Sequence, residues 1–317
     1  IGLFAALVAG AIGTLVALVT TWQSSRVEPA SMLQGSGSVQ TTGSRGNRRA
    51  RLLLVGVQAT LSTALLVTSI GFVRSFRRAL LVDVGFEPES VLSISLPLGS
   101  IGYKPQQEVA FYRDLRERLL TQPGVVSASL GYMSPWRNNR SETVSIPGRD
   151  SLPQVLDFGS PAFDAVTPEY PATMGVRLIE GRWLTAADGD GSAPVVVVNR
   201  ALTELYWPGG ESAVGRCIRI GADSMPCREI VGVMENHRFT GVIDGPLVPA
   251  YFLPFDQAVR TYRVAPTVFV RVEGNPDRYI GSIARLAQGL APDLPASSVR
   301  TIQSQLDPLL ARWRLGA

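Results

Sequence analysis

The run from Leu52 to Val73 contains no charged residue. It is long enough to cross the hydrocarbon core of a bilayer as a helix, which takes about 20 apolar residues. A second uncharged run, from Ile1 to Ser25, precedes it. Two such segments restrict the chain to architectures in which a membrane holds one part and water surrounds the other. Of the 317 residues, those after Asp83 remain to form an extramembrane domain.

The first run carries Gly2, Gly10 and Gly13. Small residues let membrane helices approach one another closely, although glycine is also simply frequent in such helices. Because Ile1 already lies inside apolar sequence, the chain is expected to begin partway through a membrane helix. With no basic stretch ahead of it, the run does not read as a signal peptide.

Charge clarifies the rest of this region. Arg26, Arg45, Arg48, Arg49 and Arg51, set against the single acid Glu28, account for the whole net charge of +4. The basicity therefore marks membrane flanks, which set orientation, and predicts no nucleic-acid surface. Arg74, Arg77 and Arg78 flank the far side of the second run. Between the runs, Gly35, Gly37, Gly43 and Gly46 with Ser36, Ser38 and Ser44 have the composition of a flexible linker, and the arginine count predicts that it is cytoplasmic. Gln58, Thr60, Ser62, Thr63, Thr68 and Ser69 form a polar stripe, read as bonding to neighbouring helices or to its own carbonyls rather than lining a pathway.

Beyond Asp83 the pattern is mixed α/β. Val91–Leu96 alternates as a strand, and Val109, Tyr112, Leu115, Leu119 and Leu120 give Gln106–Leu120 a helical spacing. Pro123-Gly124 stops that helix ahead of a strand at Val125–Leu130. The order recurs with a strand at Thr267–Val272, a helix at Asp277–Leu290 and a strand at Ser298–Arg300. Strand–helix–strand twice predicts a split ferredoxin-like unit, with both helices on one face because such crossovers are right-handed. Val144 to Tyr262 reads as a β-rich insertion. It holds a buried strand at Pro194–Asn199, one short helix at Arg200–Tyr206, and a hairpin of Arg216–Ile220 and Glu229–Met234 around Gly221-Ala222-Asp223.

The chain is poor in catalytic chemistry. Lys104 is the only lysine and Pro105 follows it, so no P-loop is present. His237 is the only histidine, which excludes a two-histidine metal site within the chain, and no G-x-S-x-G supplies a serine nucleophile for it. Between Asn236 and Arg238 it reads as an exposed loop residue. Asp188 and Asp190, beside Gly189 and Gly191, read as turn residues, and Arg137–Arg140 as a solvated loop. No catalytic residue, cofactor or metal is predicted, and no enzymatic activity is expected. Cys217 and Cys227 fit neither a C-x-x-C redox motif nor a zinc site.

An ordered series of short motifs runs along the chain. Arg26-Val27-Glu28-Pro29-Ala30-Ser31-Met32-Leu33 leads to the arginines and to a run carrying Gln58 and Leu65-Leu66. Arg74-Ser75 and Asp83-Val84-Gly85-Phe86 follow it. Tyr170–Gly175, Glu180-Gly181-Arg182, Ala193–Asn199, Tyr206-Trp207-Pro208-Gly209, Val214-Gly215 and Ile230-Val231-Gly232-Val233 complete the series. In this order they resemble the MacB-like periplasmic core domain attached to FtsX-like permease helices of the ABC transporter superfamily, of the duplicated orphan-permease type.

The resemblance implies an α+β periplasmic domain and two transmembrane helices. Residues 84–143 and 264–308 would form a split, ferredoxin-like Porter subdomain, with a β-rich Sabre subdomain inserted at 144–263. Residues 1–23 would end a first FtsX-like module, 24–51 would be the cytoplasmic linker, and 52–82 would cross from cytoplasm to periplasm. Residues 309–317 would approach a further membrane helix. The location implied is the bacterial inner membrane, with residues from about 84 onward in the periplasm. The activity implied is that of a permease-like subunit coupling a cytoplasmic ABC ATPase, supplied in trans, to motion of the periplasmic domain. Arg74, Ser75, Asp83, Gly85 and Phe86 would form the coupling stalk. Other partners would be FtsX-like helices of the same chain or a second copy, and a periplasmic protein. The alternative is a membrane-tethered binding or sensing module with no transport role.

A hairpin centred on Ala222 would set Cys217 directly opposite Cys227, within the separation a disulfide tolerates. An oxidising periplasm would preserve that bond. The other reading is two small buried residues that merely face each other.

Overall fold

The computed structural model describes residues 45–80, 85–134, 136, 141–148, 160–222, 224–238, 247–262, 266–292 and 299–315. They fall into two compact units, divided between Arg77 and Arg78 and again between Trp313 and Arg314. The first predicted membrane run, Ile1–Trp22, lies outside the described residues, as do Asp83 and Arg137–Arg140.

The first unit contains α1 (Arg45–Leu80) as far as Arg77. Its stretch Leu52–Arg74 is long and apolar enough to cross a membrane, and its leucines and valines are exposed. Thr60, Thr63 and Thr68 donate to the carbonyls of Gly56, Ala59 and Ala64, each at 2.8 Å. Their hydroxyls are thus satisfied within the helix and need no partner helix. The helix begins earlier than the linker reading allowed. Arg48, Arg49 and Arg51, placed at the linker's end, are helical, since nothing after Gly46 breaks a helix that arginine, alanine and leucine favour.

The second unit contains, in chain order, β1 (Val91–Ile94), α2 (Pro105–Leu120), β2 (Val125–Gly131), β3 (Val144–Ser145), β4 (Ala162–Val166), α3 (Tyr170–Met174), β5 (Leu178–Gly181), β6 (Val195–Asn199), α4 (Arg200–Tyr206), β7 (Cys217–Ile220), β8 (Arg228–Met234), β9 (Ala250–Pro254), α5 (Phe255–Thr261), β10 (Thr267–Val272), α6 (Ile280–Leu290), β11 (Val299–Thr301) and α7 (Ile302–Leu315). The strands form a sheet in the order β11-β1-β10-β2-β4-β9-β6-β8-β7-β3, with β5 paired to β8.

At one end, β1 lies antiparallel between β10 and β11, and β10 is antiparallel to β2. Strand–helix–strand units from the two ends of the domain therefore interleave. Helices α2 and α6 touch each other and bury Tyr112, Leu115, Leu119, Ile283 and Ala287 in one core. The first turn of the predicted helix Asp277–Leu290 is a separate 3-10 turn, Pro276–Tyr279.

The described strands of the β-rich insertion belong to this same sheet. β4 joins β2 through a single pair, Gly131 with Val166, and the sheet continues through β9, β6 and β8. Among its described residues the insertion holds three short α-helices rather than one. The two unforeseen ones, α3 and α5, span five and seven residues, too few turns to leave a periodic signal. By contrast, α4 is announced by Asn199, whose Oδ1 accepts from Leu202 N at 3.0 Å as an N-cap. Alternate side chains along the strands feed a core on each face, with Leu92, Leu130, Val196 and Leu253 on one and Val91, Val166, Phe252 and Phe269 on the other. Burial on both faces explains the nearly unbroken apolar sequence of β6 and β9.

Candidate functional site

Beyond the apolar helix, the chain is next described at Gly85 and Phe86. Gly85 has φ 77°, a conformation that costs glycine nothing and other residues strain. Contact requires glycine too. A Cβ here would stand 2.0 Å from the Asn236 carbonyl oxygen and 2.7 Å from the His237 Cα. Phe86 is buried with its ring 5.7 Å from that of Trp136. Next to it, Glu87 N donates to Met174 O at 2.8 Å, and its carboxylate pairs with Arg271 at 2.9 Å. The segment is thereby tied to both α3 and β10. Of the five proposed stalk residues, the structure brings Gly85 and Phe86 together on the domain. Arg74 is exposed on α1. Ser75, Arg77 and Arg78 are helical, and Asp83 is outside the described residues.

His237 is buried, not exposed, at 7%. The close passage of Gly85 covers its backbone, and its ring lies 5.1 Å from that of Phe252. Burial pushes its pKa down to about 3. It shares a cavity of about 10 Å³ with Met133, Asp164, Val248 and Phe252. Asp164 on β4 is the second buried titratable group there. Its Oδ1 accepts from Tyr132 N and Met133 N at 2.9 Å and from Ala165 N at 2.8 Å. Its Oδ2 is buried with no hydrogen-bond partner among the described residues. Burial raises its pKa to about 7 against the opposing pull of those three N–H groups. Nearby Tyr170 is pushed well up by burial and, secondarily, by Asp164.

A second cleft, of about 230 Å³, lies between α2 and the residues around Thr167, Thr185 and Phe255. Arg113 pairs across it with Asp256, and Arg116 pairs with Glu169 at 2.8 Å. Both arginines are thus already matched by carboxylates. Asp188 at its rim is more than a turn residue. Its carboxylate takes both guanidinium branches of Arg182, at 2.7 and 2.8 Å, and also accepts from Thr185 N at 2.7 Å. These donors hold its pKa down to about 2. Asp190 pairs with Arg260 at 2.7 Å.

Cys217 and Cys227 form a disulfide with Cα atoms 5.7 Å apart. The hairpin register differs from that of a turn centred on Ala222. Cys217 lies opposite Glu229 and Ile218 opposite Arg228. The ladder of β8 starts only at Arg228, so the bond crosses the hairpin diagonally from just outside the strand.

Sequence reasoning passed over Asp164. The available signal was a lone carboxylate in Pro161-Ala162-Phe163-Asp164-Ala165-Val166, since an acid in a two-face-buried strand needs an internal reason. Among the described residues, no cluster of three or more His, Cys, Asp or Glu could hold a metal.

A family model described as the MacB-like periplasmic core domain matches residues 6–278. No curated protein matches the chain. Among solved structures, the chain is similar to the periplasmic region of MacB from Actinobacillus actinomycetemcomitans, at 14% identity and TM-score 0.49, over 73% of this chain and 97% of that one. It is also similar to the extracellular domain of the noncanonic ABC-type transporter YknZ from Gram-positive bacteria, at 14% identity and TM-score 0.45, over 66% and 97%.

Proposed function

Because the chain belongs to the MacB-like periplasmic core domain family, we propose that it is the permease-like membrane subunit of a MacB/FtsX-type ABC system. In this reading a cytoplasmic ATPase, supplied in trans, drives movement of the periplasmic domain through the membrane helices, and the chain has no enzymatic activity of its own. The observation that carries it is the unbroken course of α1, which runs through the apolar stretch Leu52–Arg74 and on to Leu80. A helix without a break transmits displacement along its axis, which a flexible linker does not. The anchored Gly85–Phe86 segment supplies a fixed point on the domain to receive it. The disulfide supports a periplasmic location for the residues from about 84 onward, since such bonds are rare in the cytosol.

The test is a Gly-Gly-Ser insertion between Leu80 and Gly85 of the full-length protein, reconstituted with its ATPase in proteoliposomes. Loss of complex-stimulated ATP hydrolysis or of substrate export, with membrane insertion retained, is the expected result. Unchanged hydrolysis and export would overturn the coupling role and favour a tethered binding or sensing module.

A further inference from the structure

The two halves of the sheet meet at a slender joint. Gly131 and Val166 are the one residue pair between β2 and β4, flanked by Tyr132 N donating to Ala165 O and Thr167 N donating to Leu130 O, both at 3.0 Å. Elsewhere the sheet is held by longer ladders, such as the five pairs of β4 with β9. Just past this joint the Asp164 carboxylate adds what the ladder lacks. Through Oδ1 it gathers Tyr132 N and Met133 N, beyond the end of β2, and Ala165 N of its own strand. A side chain thus does the work of a missing rung.

We propose that Asp164 makes the β2–β4 joint proton-controlled, closed when its carboxyl carries a proton and loosened when that proton leaves. The geometry assigns the proton to Oδ2, since Oδ1 is saturated with three donors. A neutral Oδ2–H is tolerated in a pocket of Met133, Ala162, Val248 and Phe252. A carboxylate there has no cation beside it among the described residues. The titratable groups facing it among those residues are His237, from the segment after β8, and Tyr170, from α3. Neither is positively charged at neutral pH. A charge offset only by the three N–H donors on Oδ1, with Oδ2 buried, is relieved by opening the joint to water.

The direction comes from linkage. In the closed joint Asp164 keeps its proton up to about pH 7, against a reference value of 3.8 when solvated. Opening releases that proton between these limits, so its frequency rises by up to tenfold per pH unit across the window and levels off above it. His237 opposes this. It stays neutral in the closed joint down to about pH 3 and gains a proton below 6.5 when solvated, so its contribution to opening falls as pH rises.

The two effects separate by substitution, independently of any transport role. Amide exchange at Tyr132, Met133 and Ala165 in the full chain, in detergent micelles from pH 4.5 to 8.5 and divided by intrinsic rates, reads the opening directly. His237→Gln should isolate Asp164, with opening rising at least tenfold between pH 5 and 7. Asp164→Asn should reverse the slope between pH 4.5 and 6.5, and the double variant should be flat. A flat profile in His237→Gln, or an unreversed slope in Asp164→Asn, would overturn the proposal. Should Asp164→Asn fail to fold, the His237→Gln profile alone decides.

Discussion

Gly85 and His237 are in backbone contact, so that a Cβ on the former would stand 2.7 Å from the Cα of the latter. The contact joins the segment after the apolar helix to the strand-end loop beside Asp164. Gly85→Ala should therefore destabilise the domain on two counts, a positive φ of 77° and a steric overlap with Asn236–His237. Together they should cost about 2–4 kcal/mol. Thermal unfolding of the full chain in detergent reads this as a lowered Tm, and an unchanged Tm would show that the passage is looser than described.

Asn199 is fully buried and uses its side chain three times. Oδ1 accepts from Leu202 N and Ala250 N, and Nδ2 donates to Val248 O at 2.9 Å. Asn199→Ala would leave two N–H groups and a carbonyl unsatisfied in the core, a loss of about 3–5 kcal/mol. Urea denaturation should show a lower midpoint, and Asn199→Asp should also be destabilising, because its second oxygen would face the Val248 carbonyl to which Nδ2 donates.

The Arg182–Asp188 pair sets an acid limb. With its pKa held down to about 2, Asp188 contributes stability that is complete above its reference of 3.8 and is lost as pH falls through 2. Asp188→Asn should cost about 1–2 kcal/mol at neutral pH. It should also flatten the stability profile between pH 4 and 2, which chemical denaturation at a series of pH values will reveal.

The disulfide closes a sequence separation of 10 residues, a short loop worth about 2–3 kcal/mol. Replacing both cysteines with alanine should lower the melting temperature without changing the sheet. Peptide mapping of thiol-blocked, unreduced protein from an envelope fraction should find Cys217 and Cys227 linked. Recovery of both as alkylated thiols would contradict the bond and the oxidising location together.

Legibility in the sequence tracked how local the determining contacts are. β6 and α4 were readable because Val195–Val198 is a continuous apolar run and Asn199 caps the helix after it. The pairing of early and late strand–helix–strand units was readable because α2 and α6 each carry their own periodicity. The burial of His237 was not, because Gly85, distant in sequence, closes over it. The continuity of the sheet across the insertion was hidden for a related reason. It depends on a single strand pair and a carboxylate, whereas hydrophobic patterning registers only long ladders. The hairpin register slipped because Cys227 precedes β8 instead of belonging to it, and symmetric counting about a turn assumes that both partners sit in strands.

The position of β1 between β10 and β11 bears on how the domain is made. Among the described strands β1 comes first in chain order, yet both of its neighbours, Thr267–Val272 and Val299–Thr301, come last. Until they arrive, Val91–Ile94 has no edge to pair with. Vectorial synthesis therefore leaves an apolar strand exposed while the insertion is made, a setting that favours misassembly and slow, high-contact-order closure. Among the described strands β11 is the one that seals this margin, so a chain truncated before Val299 should leave β1 unpaired on one side.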